Sequence, residues 1–275
     1  MTLIKSISGI RGTIGGYVGK SLTPIDVVKY TAAYATFLKS KKLISNTIIV
    51  GRDARISGEL INNLVTSTLI SCGFDVIDIG LTTTPTVEIA VELNNCDGGI
   101  IITASHNPIQ WNALKLLNNN GEFISENDGN EILNIAEKDN ICFEEIHNIG
   151  KISYDNSFND IHIDKILNLD LVEVELIKSM NYTIVLDGVN STGGIIIPKL
   201  LNKLGVNVIK LYCEPTGIFP HNPEPLEENL TDISRLVVNK KADFGIVVDP
   251  DVDRLAFVCE DGIMFGEEYT LVAVA

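Results

Sequence analysis

Three short strings occur twice along the chain in the same order, and a chain that repeats itself at long range folds as copies of one design. Thr47-Ile-Ile-Val-Gly returns as Thr183-Ile-Val-Leu-Asp, Gly73-Phe-Asp-Val-Ile as Gly205-Val-Asn-Val-Ile, and Asp97-Gly-Gly-Ile-Ile-Ile as Asp243-Phe-Gly-Ile-Val-Val. The spacing is kept to within a loop's length. In the first copy, strand-like runs at 47–50, 74–79 and 99–103 alternate with helical stretches near 58–71 and 85–94, the βαβ rhythm of a mostly parallel sheet. Thr23 before Pro24 places an N-cap and a first helical residue, and Ser125-Glu126-Asn127-Asp128 has the form of a capping box, so helices are predicted to open at both points. The expected fold is α/β: two similar domains with mixed, mostly parallel sheets sandwiched by helices. The polar, strand-poor stretch around 139–160 reads as a linker, giving one domain over 1–150 and a second over 151–258.

Composition narrows the function classes. With 275 residues, of which 45% are hydrophobic, the chain can bury a sizeable core. A net charge of −15 leaves no basic face for nucleic acid or an anionic membrane, whereas an anionic small substrate needs only a local cluster of cations. The five cysteines (Cys72, Cys96, Cys142, Cys213, Cys259) are odd in number and scattered, with no Cys-x-x-Cys pair, as expected of reduced thiols in a cytoplasm. The N-terminus lacks a signal-peptide apolar core, and no run approaches the ~18 apolar residues of a membrane span. The oligomeric state is left open, and the apolar end Leu271-Val-Ala-Val-Ala275 is expected to leave an unpaired helix face prone to self-association.

The third pair of strings ends in two loops rich in chemistry. Thr103-Ala-Ser-His-Asn-Pro follows Ile100-Ile-Ile, and Asp249-Pro-Asp-Val-Asp-Arg follows Ile246-Val-Val. These are the C-terminal ends of equivalent strands, where open α/β sheets bind ligands. One loop offers the hydroxyl of Ser105. The other offers Asp249, Asp251 and Asp253 at alternate positions, which in an extended segment share one face and can converge on a hard divalent cation. An EF-hand loop fails as the explanation, because Arg254 stands at the sixth position, where the sharp turn needs glycine. A phosphatase using the first aspartate of Asp-x-Asp as nucleophile leaves Ser105 without a role. A Ser-His-Asp hydrolase is disfavoured, since the Gly-x-Ser-x-Gly elbow is missing and His106, adjacent in sequence, cannot be assumed to reach Ser105. Ser8-Gly-Ile-Arg-Gly-Thr, followed by Gly15-Gly16, reads either as a flexible entry loop or as backbone amides and a guanidinium facing phosphate. Against the acidic background, Arg11, His106, Lys115 and Arg254 all fall in or near the loaded loops. His147 and His162 lack such context. The combination points to phosphoryl transfer.

The motifs together resemble the α-D-phosphohexomutase family, which includes phosphoglucosamine mutases and the phosphomannomutases/phosphoglucomutases. The matching strings are Ser8-Gly-Ile-Arg-Gly-Thr, Gly51-Arg-Asp-Ala-Arg with Ser57-Gly58, Thr103-Ala-Ser-His-Asn-Pro, Asn112-Ala-Leu-Lys, Phe219-Pro-His-Asn-Pro-Glu-Pro and Asp249-Pro-Asp-Val-Asp-Arg, in the family's order and across the whole chain. The resemblance implies that Ser105 is the phosphoserine, that Asp249, Asp251 and Asp253 ligate Mg²⁺ with a phosphoserine oxygen, and that Lys115 is the general acid/base. It also implies that Arg11 and Arg254 steady the transferring group, with His106 close by in the serine loop. The expected reaction interconverts hexose 1-phosphate and hexose 6-phosphate through a hexose bisphosphate. Phosphoglucosamine mutase is the leading member, with phosphomannomutase/phosphoglucomutase or a non-catalytic metal and phosphate-binding module as alternatives. Family members have four domains, and the motifs of the third and fourth, which read the sugar and grip its distal phosphate, are missing here. On that reading residues 259–275 begin a truncated third domain, and the chain alone is expected to bind metal but show negligible turnover.

Overall fold

The structure, a computed structural model, describes residues 1–6, 9–138, 140–141, 143–266, 269–270 and 272. Ser8, Cys142 and, apart from Val272, the apolar end at 271–275 lie outside them. The chain divides into two compact units. The first comprises Met1–Arg52, Ser57–Ala104 and Gln110–Phe158; the second comprises Asp53–Ile56, Ser105–Ile109 and Asn159–Ala275.

In the first unit the order is β1 (Leu3–Ser6), β2 (Gly9–Thr13), α1 (Pro24–Ser40), β3 (Thr47–Arg52), α2 (Gly58–Ser71), β4 (Asp75–Leu81), α3 (Thr84–Leu93), β5 (Gly98–Ile102), β6 (Trp111–Leu117), α4 (Glu126–Glu137) and β7 (Ile152–Tyr154). The seven strands form one sheet in the order β1-β2-β6-β5-β3-β4-β7. β3 is parallel to β4 and β5, and β4 to β7; β6 runs antiparallel to β5 and β2, and β2 antiparallel to β1. Alternate residues face opposite sides of a strand, and here both sides are covered. Ile48, Val50, Ile100 and Ile102 pack with residues of α1, α2 and α4, while Ile49 and Ile101 pack with Val87, Ala90 and Val91 of α3. Both predicted helix starts form: Thr23 and Asp26 make a reciprocal capping box at α1, and the Ser125 side chain accepts from the Asp128 amide at α4.

Two segments differ from the sequence reading. The glycine-rich entry is a strand, β2, so the amides of 10–13 serve the ladder rather than a phosphate nest. The stretch 139–160 holds β7, too short and polar to stand out from its surroundings.

The second unit contains α5 (Phe158–Leu167, from Asn159 onward), α6 (Val174–Met180), β8 (Thr183–Asp187), α7 (Gly193–Lys203), β9 (Asn207–Leu211), a 3₁₀ turn at Glu227–Asn229, α8 (Thr231–Lys240), β10 (Phe244–Val248) and β11 (Leu255–Cys259). Its sheet order is β11-β10-β8-β9. β10 and β9 flank β8 in parallel, and β11 is antiparallel to β10. This repeats β6-β5-β3-β4 strand for strand. Thr47 pairs with Asp75 as Thr183 pairs with Asn207, and the amides of Asp97 and Asp243 donate to the carbonyls of Thr47 and Thr183 at 2.9 and 2.8 Å. The repeated strings thus mark equivalent positions of two α/β folds. Val185, Val247, Ala256 and Val258 pack with Ile233 and Val237 of α8, and Ile184 packs with Leu201 on the opposite face.

Among the described residues no helix is long and apolar enough to cross a membrane. Cys72, Cys96, Cys213 and Cys259 are thiols, and burial pushes those of Cys96 and Cys213 up to about 11, which keeps them protonated and inert.

Candidate active site

The loops that follow β5 and β10 meet within the second unit. Ser105 is 8% exposed and adopts φ +49°, a left-handed conformation uncommon for any residue but glycine. Its Oγ donates to Asp249 Oδ2 at 2.6 Å and lies 3.3 Å from Asp253 Oδ1. His106 Nδ1 stands 3.4 Å from the same oxygen, at the outer limit of a hydrogen bond.

The carboxylates converge, but not through the extended alternation that their spacing suggested. Residues 250–252 turn: Val252 has φ +61°, and its amide donates to the Asp249 carbonyl at 3.1 Å. Asp249 Oδ1 then accepts the amides of Asp253 and Arg254, both at 3.1 Å, so the first aspartate folds the loop around its own side chain. Oxygen atoms of Asp249, Asp251 and Asp253 lie within 4.8 Å of one another, with the first two buried and the third exposed. Burial, and after it the charges of Asp251 and Asp253, raise the Asp249 carboxyl well above the usual carboxylate range, against the opposing effect of the Ser105 hydrogen bond. Crowded, desolvated, all-oxygen donors of this kind fit a hard divalent cation, which relieves the repulsion that raises the proton affinity.

The remaining predicted residues fall into two groups. Arg254 Nη1 pairs with Glu224 Oε1 at 3.3 Å, so one guanidinium is tied to the Phe219–Pro225 loop. Arg11 on β2 and Lys115 on β6 belong to the first unit, where their strands pair Arg11 with Ala113 and Ile10 with Leu114. Gly9 permits that pairing. It sits at φ +114°, and a Cβ there would lie 2.1 Å from the Leu114 carbonyl oxygen and 3.1 Å from Lys115 Cα. Lys115 Nζ lies 5.7 Å from the Phe123 ring centroid.

Sequence reasoning assigned no role to Asp53 and Arg55, and the structure places both at the serine loop. Arg55 is 1% exposed and Asp53 fully buried, with Nε donating to Asp53 Oδ2 at 3.1 Å. The Gly51-Arg-Asp-Ala-Arg string signalled the pair, but not what the guanidinium grips. Also unassigned was His221, whose Nε2 donates to buried Asp187 Oδ2 at 3.0 Å and whose Nδ1 lies 2.8 Å from the Asn222 carbonyl oxygen. Two acceptor partners suit the doubly protonated ring. Burial alone would lower the His221 pKa, but the hydrogen bond to Asp187 and its charge raise it overall.

Residues 3–141 match the family model for phosphoglucomutase/phosphomannomutase alpha/beta/alpha domain I, and residues 160–262 match domain II. A phosphoglucomutase/phosphomannomutase of Thermococcus kodakarensis is 36% identical over 267 residues, covering 96% of this chain and 58% of its own length. A Pyrococcus abyssi protein named "Probable phosphoglucosamine mutase" is 35% identical over 268 residues, covering 98% and 56%. The chain thus spans little more than half the length of these relatives. A crystal structure of a phosphoglucomutase/phosphomannomutase family protein from Burkholderia thailandensis shares the fold with TM-score 0.83 at 24% identity, over 98% of this chain and 57% of that one. The Paramecium phosphoglucomutase parafusin shares it with TM-score 0.74 at 18% identity, over 95% and 54%. With both domain models matched in order and together covering most of its length, the chain belongs to the phosphoglucomutase/phosphomannomutase family.

Proposed function

We propose that this chain carries the phosphoryl-transfer machinery of a phosphohexomutase, with Ser105 as the residue that accepts and donates the phosphoryl group. The observation that carries the reading is the 2.6 Å hydrogen bond from Ser105 Oγ into a cluster of three carboxylates, two of them buried. A hydroxyl aimed into such a cluster has little use unless a cation and a phosphoryl group share the site. On this reading 1–150 is the serine-bearing domain, 151–258 the metal-binding domain and 259–275 the start of a third, with β7 (Ile152–Tyr154) nonetheless joining the sheet of the first unit.

Asp249, Asp251, Asp253 and an oxygen on Ser105 would hold Mg²⁺, which when bound neutralises charge on the phosphoryl oxygens. The residues of the chain do the rest. In the first half-reaction the bond from Ser105 Oγ to phosphorus breaks as a hydroxyl oxygen of the hexose monophosphate bonds to phosphorus, and Lys115 takes the hydroxyl proton. After the hexose bisphosphate reorients, its other phosphoryl group returns to Ser105 Oγ, and Lys115 gives the proton back to the departing sugar oxygen. Arg11 and Arg254 steady the transferring group, and His106 contributes a donor beside Ser105. Phosphoglucosamine is the leading substrate class, and mannose or glucose phosphates are the alternative. The names of the relatives divide between the two at nearly equal identity.

The test is incubation of the chain with Mg²⁺ and glucose 1,6-bisphosphate, followed by peptide mass analysis. One phosphoryl group on Ser105 is expected. A phosphoryl group that persists in Ser105→Ala, or none in the unsubstituted chain, would overturn the proposal.

A further inference from the structure

Arg55 is a guanidinium where a charged side chain is costly to place, buried with its counter-ion Asp53. What it holds is the serine loop. Nη2 donates to the carbonyls of Ser105 at 2.5 Å and Asn107 at 2.7 Å, and Nη1 donates to that of Pro108 at 2.9 Å. Its outer face lies on the Phe219 ring, 5.0 Å from the centroid. Three carbonyls within four residues, one of them on left-handed Ser105 itself, are therefore fixed by a single planar group.

The same short loop also grips the carboxylate loop. The Ala54 amide donates to Ser191 Oγ at 3.3 Å, and Ser191 Oγ in turn donates to the Pro250 carbonyl at 2.7 Å, beside Thr192 Oγ1 at 2.8 Å. Pro250 lies between the first two aspartates. Gly217 lets the loop seat: at φ +70°, a Cβ there would stand 2.0 Å from the Ala54 carbonyl oxygen. Residues 53–55 are thus tied to the nucleophile loop by the Arg55 side chain and to the carboxylate loop through the Ser191 hydroxyl.

We infer that Arg55, with Asp53 as its counter-ion, is a positioning residue that holds the Ser105 hydroxyl at its distance from Asp249. The inference rests on the reading of Ser105 as the phosphoryl acceptor. Lysine cannot replace the arginine, because a compact ammonium cannot span three carbonyls and a carboxylate in one plane.

The experiment compares the unsubstituted chain with Arg55→Lys, Arg55→Met and Arg55→Gly. Amide hydrogen exchange at 105–109 should quicken about tenfold in each, while exchange in β8 and β10 is unchanged. The rate of Ser105 phosphorylation by glucose 1,6-bisphosphate should fall about 100-fold, the scale set by a misplacement of about 1 Å. Mg²⁺ affinity, read by calorimetry, should fall by less than about tenfold, since three of the four proposed ligands lie on a different loop. Added guanidinium ion should restore part of the phosphorylation rate in Arg55→Gly, a rescue that general loss of stability cannot give. Should the Met and Gly variants fail to fold, Arg55→Lys keeps the charge and much of the volume and is read in the same way. The inference is overturned by unchanged loop exchange in a folded variant, by equal quickening throughout both sheets, or by phosphorylation within about threefold of normal. No phosphorylation even in the unsubstituted chain would sink the phosphoserine reading alone, and loop exchange with Mg²⁺ calorimetry would still decide whether Arg55 holds the loop.

Discussion

Replacing Asp249 by asparagine removes one negative charge from three carboxylates whose oxygens lie within 4.8 Å, and leaves the surrounding geometry almost intact. The asparagine carbonyl can still accept the amides of Asp253 and Arg254, and its NH₂ can donate to Ser105 Oγ once that hydroxyl turns. At 4.8 Å and an effective dielectric near 20, one buried pair such as Asp249 and Asp251 repels by roughly 3 kcal/mol. Asp253 is exposed, and screening cuts its share. Proton uptake already relieves part of the strain in the parent, so the net gain from the substitution is about 1–2 kcal/mol, a rise of roughly 2–8 °C in the melting temperature. The sign follows from the raised pKa. A carboxyl whose folded pKa lies above its ordinary 3.8 costs the fold stability as pH climbs from that value through the folded pKa, so the variant's advantage opens above about pH 4 and is absent below it. Calorimetric melting in chelator, then in Mg²⁺, is the assay. Metal at 100 times its Kd adds about 2.7 kcal/mol to the parent and none to the variant, which reverses their order. A variant that melts below the parent in chelator, or an equal shift of both by Mg²⁺, would refute the argument that this cluster is a cation site strained without its cation.

Two further substitutions probe the frame. His221→Gln removes a ring whose pKa is raised by Asp187, so the stability it contributes, about 1–2 kcal/mol, is fully present below pH ~6.5 and is lost as pH rises through the elevated value; parent and variant stabilities that stay parallel from pH 5 to 9 would refute the pairing. Gly9→Ala forces a Cβ into the Leu114 carbonyl at a φ alanine resists, and should cost about 3 kcal/mol or more by urea unfolding while slackening exchange protection in β6, the strand of Lys115; a loss under about 1 kcal/mol would mean that β2 and β6 can separate freely.

Local chemistry explains what the sequence revealed. The Thr23-Pro24 start, the capping serine at 125 and the six repeated strand strings each declare themselves within a few residues, and each is found where its string lies. The serine and aspartate loops were legible for the same reason: an apolar run followed by chemically dense residues marks a strand end. What stayed hidden depends on distant partners. β2 is a strand because β1 and β6 pair with it, although two of its five residues, Gly9 and Gly12, are poor strand formers. β7 is a strand because β4 offers it an edge. The turn at 250–252 exists because Asp249 has amides to accept, so alternation was the right count with the wrong backbone. Arg55 was hardest to see, since nothing in an Arg-Asp-Ala-Arg string says that one arginine will be sealed under a phenylalanine ring and the other left elsewhere.

The duplication gives that burial a rationale. Laying Thr47 on Thr183 brings Gly51 onto Asp187 and Arg55 onto Ser191, so the two brackets occupy equivalent positions after β3 and β8. In each copy the loop after this strand holds carbonyls of the loop after its parallel neighbour β5 or β10: Arg55 holds those of Ser105, Asn107 and Pro108, and Ser191 with Thr192 holds that of Pro250. The fold supplies the same support twice, and the chemistry of the supporting side chain differs with its load. The serine loop spans several outward carbonyls around a left-handed residue and needs a wide, planar donor, whereas the carboxylate loop is already wrapped around Asp249 and needs only one carbonyl fixed. A cation in the second bracket would sit against the three carboxylates; the supports there are two neutral hydroxyls, and the arginine of the first bracket carries its own buried counter-ion, so neither support adds net charge beside the carboxylate cluster.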